Sequence, residues 1–227
     1  AFACPLARQG QVSRHKLLSS AINSMLKQVS GYCLPELPVA KVTTGPSATS
    51  ITRTCVKELR YDGGALVNKA WFTYDVSVIS ETSKAYVQLA ATKPGHAADV
   101  RYKAKMDKFG DWTTPPNQFA PIVLETEGYI HPDSEKFLRT LARLALSKGV
   151  FYSPEGQEDE DVSKLLLRWN SSLARALQRG NFVGVLLYAR SVAAHQDANG
   201  VGGGRRRLSR KSLHAFERHS RLVDDVM

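Results

Sequence analysis

The segment Ala70–Ile79, AWFTYDVSVI, is almost continuously aromatic or β-branched. Side chains alternate across a strand, so a run that is apolar in both registers needs cover on both faces. The chain must therefore build a sheet with layers packed on either side. One residue breaks the pattern, because Asp75 stands between Tyr74 and Val76. A carboxylate in such a strand costs several kcal/mol unless it is paired, protonated or bound to a cation. Two readings follow: Asp75 lies at a strand end, reaching solvent or a lysine, or it belongs to a site.

The flanking segments supply the layers. Leu17, Leu18, Ile22, Met25, Leu26 and Val29 recur on one helical face, with Ser13 as N-cap and Gly31 as stop. Leu37–Val42 reads as a proline-broken edge strand, Ile51–Leu59 as a second strand, and Tyr61-Asp62-Gly63-Gly64 as a turn before Ala70–Ile79. From Ser83 to Phe109 the pattern is helical with a break at Pro94-Gly95, Phe119–Glu125 is another buried strand, and Pro132-Asp133 opens a helix with Phe137, Leu138, Leu141, Leu144 and Ala145 on one side. The order α-β-β-β-α-β-α predicts an α/β sandwich with a mixed sheet flanked by helices.

Domain boundaries are predicted from composition shifts. Residues 1–14 precede the core at 15–150, an acidic linker covers 151–161 around EGQEDED, a helical extension covers 162–196, and 197–227 form a Gly-rich hinge and basic tail. The 31 Lys and Arg outnumber 21 Asp and Glu to give +10, which favours polyanions, since basic side chains displace the counterions condensed on phosphates. Nucleic acid is the leading partner class. No apolar run approaches the ~18–20 residues of a bilayer-spanning helix, so no membrane partner is expected. Three widely spaced cysteines argue against a secreted disulfide framework and for a reducing compartment, nuclear or otherwise intracellular. The N-terminus lacks an initiator Met, and the chain is expected to be a fragment or a processed product of something longer.

The candidate chemistry gathers around Asp75. Arg101, Lys105 and Lys108 are spaced to share one face of the following helix, which also carries Lys103. A strand carboxylate with lysines on an adjacent helix is the minimum equipment for a Mg²⁺-dependent phosphodiesterase: the acid holds the hard cation and a lysine orients water or stabilises phosphorane charge. Glu125 and Glu127 share a strand face and read better as a solvated strand end than as a metal site. Arg205, Arg206 and Arg207 open a basic cluster that is either a phosphate-binding patch or a solvated charge run.

These motifs resemble the restriction-enzyme-like, PD-(D/E)XK endonuclease domain found downstream of reverse transcriptase in site-specific non-LTR retrotransposon polyproteins. Arg14-His15 is similar to the Arg-His pair that opens the family's first helix, Asp75-Val-Ser-Val78 to its second acidic motif, and Lys105-Met-Asp-Lys108-Phe109 to its Lys-x-x-Lys-aromatic helix. Phe119–Gly128 is similar to the closing apolar strand, and Cys4-Pro5 resembles the last ligand of a preceding zinc knuckle. The resemblance covers roughly residues 4–150. It implies a nuclease-like core with an α-β-β-β-α-β order, Asp75 as Mg²⁺ ligand, Lys105 as catalytic lysine, and Arg14, His15, Arg101, Lys103 and Lys108 on nucleic acid. It further implies Zn²⁺ only where an upstream knuckle exists in the full-length protein, and the reverse transcriptase domain as a partner in the same polyprotein.

One departure stands out. About twenty residues before Asp75, where the family's Pro-Asp is expected, the chain has Thr54-Cys55, and a soft thiol is a poor magnesium ligand. Glu58 or Asp62 would have to substitute through a register shift. The expectation is a weakened endonuclease binding DNA in preference to RNA; the alternative is a domesticated, non-catalytic DNA- or RNA-binding module of a ribonucleoprotein.

Overall fold

The computed structural model describes residues 5–44, 51–110, 118–149 and 158–198. The elements are α1 (Pro5–Val29), β1 (Cys33–Thr44), β2 (Ile51–Val67), β3 (Ala70–Ile79), α2 (Val87–Ala90), α3 (His96–Phe109), β4 (Gln118–Glu125), α4 (Pro132–Ser147) and α5 (Glu158–Ala198). One four-stranded sheet has the order β1-β2-β3-β4. The first three strands run antiparallel to their neighbours, and β4 joins β3 in parallel. A parallel partner cannot follow through a tight turn, and α2 and α3 make the crossover. The α/β class with a mixed sheet flanked by helices is thus present.

Both faces of β3 are covered, as its composition requires. Phe72, Tyr74 and Val76 join the main core with Leu18, Ile22 and Leu26 of α1, Ile122 and Leu124 of β4, and Leu138 and Leu141 of α4. Thr73, Asp75 and Ser77 alternate onto the opposite face and are also buried. There the cover is α3, whose Arg101 and Lys105 reach Ser77 and Asp75. A smaller cluster of Tyr61, Phe109, Leu37 and Phe119 closes this second side.

Several expectations are corrected. Tyr61-Asp62-Gly63-Gly64 is no turn but the interior of β2, where Gly63 pairs with Tyr74 and Gly64 with Thr73. The two glycines serve close approach: a Cβ on Gly63 would lie 2.8 Å from Asn23 Oδ1 and one on Gly64 2.6 Å from Leu37 Cδ1. The reversal falls instead at Asn68-Lys69, where both residues have positive φ (50° and 68°), as a two-residue hairpin loop demands.

The helix expected near residue 15 begins at Pro5, so most of the segment set apart as 1–14 belongs to α1. Proline suits the first helical position because its missing N–H has no intrahelical partner there. Cys4 lies outside the described residues.

At the other end, Glu158–Asp161 form the acidic first turn of α5 rather than a linker, a placement favoured by the helix dipole. Residues 151–157 lie outside the described part, as do Arg205, Arg206 and Arg207. Nor is 162–196 an appendage to a finished core. Val162, Leu165, Leu166, Trp169, Leu173 and Leu177 are buried in the main cluster, and Trp169 Nε1 donates to Gln28 Oε1 of α1 at 3.2 Å.

Gly180 and Gly184 let α5 press directly on α1. A Cβ on Gly180 would sit 2.6 Å from Arg14 Cα, and one on Gly10 2.6 Å from Gly184 Cα. By compactness the chain divides after Leu187. In the second unit, Tyr188–Met227, the described residues are the end of α5.

Because α5 completes the core, Trp169→Ala should remove about 3–5 kcal/mol of stability. Far- and near-ultraviolet circular dichroism should then report one cooperative transition, earlier than in the parent. Loss of helix signal at low denaturant with the aromatic signal intact would show instead that α5 unfolds alone.

Candidate functional site

The site lies where β2 leaves β3. Their ladder runs from Val67–Ala70 to Gly63–Tyr74, and beyond it the next residues are Asp62 and Asp75. Asp62 Oδ2 accepts the Val76 backbone N–H at 2.6 Å. A side-chain oxygen here holds an amide on β3 past the last ladder pair, and the strands part around the two carboxylates. The glycines that follow Asp62 are what bring β2 so close to Tyr74 before the fork.

Each carboxylate meets a base from a different layer. Asp62 Oδ1 lies 3.1 Å from His15 Nε2 of α1, and Asp75 Oδ2 pairs with Lys105 Nζ of α3. The Asp75 and Lys105 side chains are 8% and 14% exposed, Asp62 19%, and His15 42%. Burial pushes the Asp75 carboxyl above the ordinary aspartate range; Lys105 pulls it back, and the charge of Asp62 pushes it further up. The His15 imidazole is raised chiefly by its bond to Asp62, with burial opposing and the Asp62 and Asp75 charges assisting.

The surrounding polar groups hold α3 at the register that presents Lys105. Buried Glu125, at the end of β4, accepts the Ala98 N–H at 3.0 Å and so caps the first turn of α3. That is a helix-terminal anion in a protected position, not a solvated strand end. His131 stacks on Tyr102 of α3 with ring centroids 4.0 Å apart, while its Nδ1 accepts the Asp133 N–H at the start of α4. Arg101 Nε donates to Ser77 Oγ at 2.6 Å, two residues along β3 from Asp75.

Of the residues singled out by sequence, His15, Asp75 and Lys105 converge, and Arg101 flanks them. Lys103 and Lys108 are exposed on α3, with Lys108 Nζ 4.9 Å from the Phe109 ring centre. Arg14 Nη1 donates to Asn181 Oδ1 of α5 at 2.8 Å, and its Cα packs on Gly180.

The sequence offers Asp62 only as a substitute acid through a register shift, within an expected turn. It lies inside β2, which continues through Val67 to the Asn68-Lys69 loop before β3. Position 55 lies elsewhere in the register, opposite Ala40 of β1, so Asp62 rather than Cys55 is the β2 residue at the fork.

The donor set suits a small hard cation. Among the described residues no group of three or more His, Cys, Asp or Glu forms a metal cage. Magnesium commonly takes one or two carboxylates and completes its shell with water and substrate phosphate oxygens. Asp62 and Asp75 offer that minimum, with Lys105 beside them as a fixed positive charge. Among the described residues no helix is long and apolar enough to cross a membrane. No protein-family model matches the chain, and no curated protein matches it in sequence.

Two measurements probe this geometry. In a histidine titration by NMR, His15 should titrate above the ordinary range, and Asp62→Asn should bring it down. Because the folded value is raised, the pair stabilises fully below the unfolded value and ceases to do so as pH rises through the folded one. A His15 unmoved by Asp62→Asn would sever the link. Separately, Lys105→Met should cost about 3 kcal/mol by stranding a buried charge, and adding Asp75→Asn should recover most of it. Additive losses in a double-mutant cycle would mean that the two side chains do not act as a pair.

Proposed function

We propose that the core is a Mg²⁺-dependent phosphodiesterase of the restriction-like endonuclease kind, acting on nucleic acid. The observation that carries this reading is the placement of Asp62 and Asp75 at one strand fork with Lys105 against them. Asp62 supports this reading, because it offers on β2 an acid where Thr54-Cys55 has none. The motif resemblance adds the expectation of a role beside a reverse transcriptase in a longer polyprotein, with Arg101, Lys103 and Lys108 toward phosphate.

In this reading Asp62 and Asp75 would hold the cation. A bound magnesium ion would supply Lewis acidity toward the phosphoryl oxygen and lower the pKa of a bound water. Lys105 sits within reach of Asp75 and would stabilise the negative charge that grows on the phosphate during attack. Lys105 and His15 pair with the two acids, which offsets the cost of holding two carboxylates at one fork. His15 orients Asp62, and Val76 N–H fixes its other oxygen.

The same internal pairing suits the second reading, a binding module that no longer cuts. Plasmid nicking separates the two. With Mg²⁺ or Mn²⁺ the parent should nick supercoiled DNA, and Asp62→Asn and Asp75→Asn should each lower the rate by about 10²–10³, the usual scale for removing one electrostatic contributor. DNA binding by both variants should persist. Binding without nicking by the parent itself would sink the enzyme reading and leave the module.

A further inference from the structure

A groove of ≈ 340 Å³ opens at His15 and Asp62 and runs along α1, with the start of β1 as its far wall. Lys16, Ser24 and Lys27 line its α1 side and Glu36 its β1 side. Lys27 lies at the end away from the fork, near Cys33, whose thiol its charge acts upon. The distance from Lys16 to Lys27 along the helix is about 17 Å, since each residue rises 1.5 Å. A stacked nucleic-acid strand advances 3.4 Å per nucleotide, so the groove spans about five.

We infer that this groove holds a single strand of nucleic acid leading away from Asp62, the acid of the fork that lines it. The inference rests on the phosphodiesterase reading for its direction, though not for the groove itself. Three features point to a strand backbone. The volume is at the lower end for small-ligand clefts, enough for part of one strand and too little for a double helix. The α1 wall is built of hydroxyl, amide and ammonium groups, which are donors to phosphate and sugar oxygens. Lys16 and Lys27 are exposed without a carboxylate partner among the described residues, as Lys84 and Lys148 are, but Lys16 and Lys27 line one groove. Glu36 on the β1 wall and Asp62 at the fork end are the opposing charges.

The test measures binding of a labelled oligonucleotide of about 12 nucleotides, within the usual site sizes of single-strand binders, as a function of salt. Lys16→Ala/Lys27→Ala should reduce the log–log salt slope by about 1.4, or about 0.7 per phosphate contact on a single strand. Lys84→Ala/Lys148→Ala, at exposed lysines elsewhere, should leave it nearly unchanged. Ser24→Trp should block the groove and weaken binding at least several-fold, and Glu36→Gln should tighten it, with thermal melts confirming that each variant is folded. Deoxyribo- and ribo-oligonucleotides of one sequence identify the strand by which binds tighter. The inference is overturned if the control pair flattens the slope equally, if Ser24→Trp binds as the parent does, or if a duplex loses as much affinity as the single strand. A parent that does not nick, combined with the expected groove effects, would remove the enzyme reading and retain the groove; nicking abolished by Asp75→Asn with groove variants silent would do the reverse.

Discussion

A carboxylate buried under a helix governs this structure. Asp75 cannot remain charged inside β3 without a partner, and Lys105 of α3 is that partner. The pairing commits α3 to the polar face of β3, and much of the adjoining architecture keeps it there. Glu125 caps the first turn of α3 from β4, and His131 stacks on Tyr102 from the start of α4. The residues that look most like chemistry in this part of the chain divide into a pair that faces the fork and a frame that aims it.

The fork itself has a simple cause. A regular antiparallel ladder would satisfy the amides of β3 with carbonyls of β2, and it would bring Asp62 and Asp75 side by side with nothing to balance them. Here Asp62 takes the Val76 amide with its own carboxylate, so the strands separate where the like charges meet. His15 and Lys105 then approach from opposite layers. The tight packing of Gly63 against Tyr74 and Asn23 just before this point holds the approach short.

Much of the fold was legible in the residue pattern. The two-faced apolar run at 70–79, the α1 stripe and the α4 stripe each have a periodicity that sterics alone translate into an element, and all three are present. What escaped were features with two local meanings. Gly-Gly after Asp62 reads as a turn because glycine tolerates any backbone angle, yet its lack of a side chain serves crowding equally well. Asn68-Lys69 carries no glycine and so gives a weak turn signal. The acids at 158–161 read as a linker because charge repels core, but at a helix start charge is favourable. Likewise the stripe at 162–177 announced a helix without saying that it completes the same core.

The sequence by itself determined that a sheet covered on both faces exists, that Asp75 within it must be neutralised, and that lysines on the following helix share a face able to do so. These follow from alternation, helical period and the cost of a buried charge, all properties of neighbours in the chain. Only the tertiary structure decided that Asp62 stands at the fork with Asp75, that His15 bonds to it, that Arg14 donates to Asn181 of α5, and that the groove along α1 reaches Asp62. Those depend on strand register and helix approach, which residues far apart in sequence set together, and no local pattern encodes a distance between them.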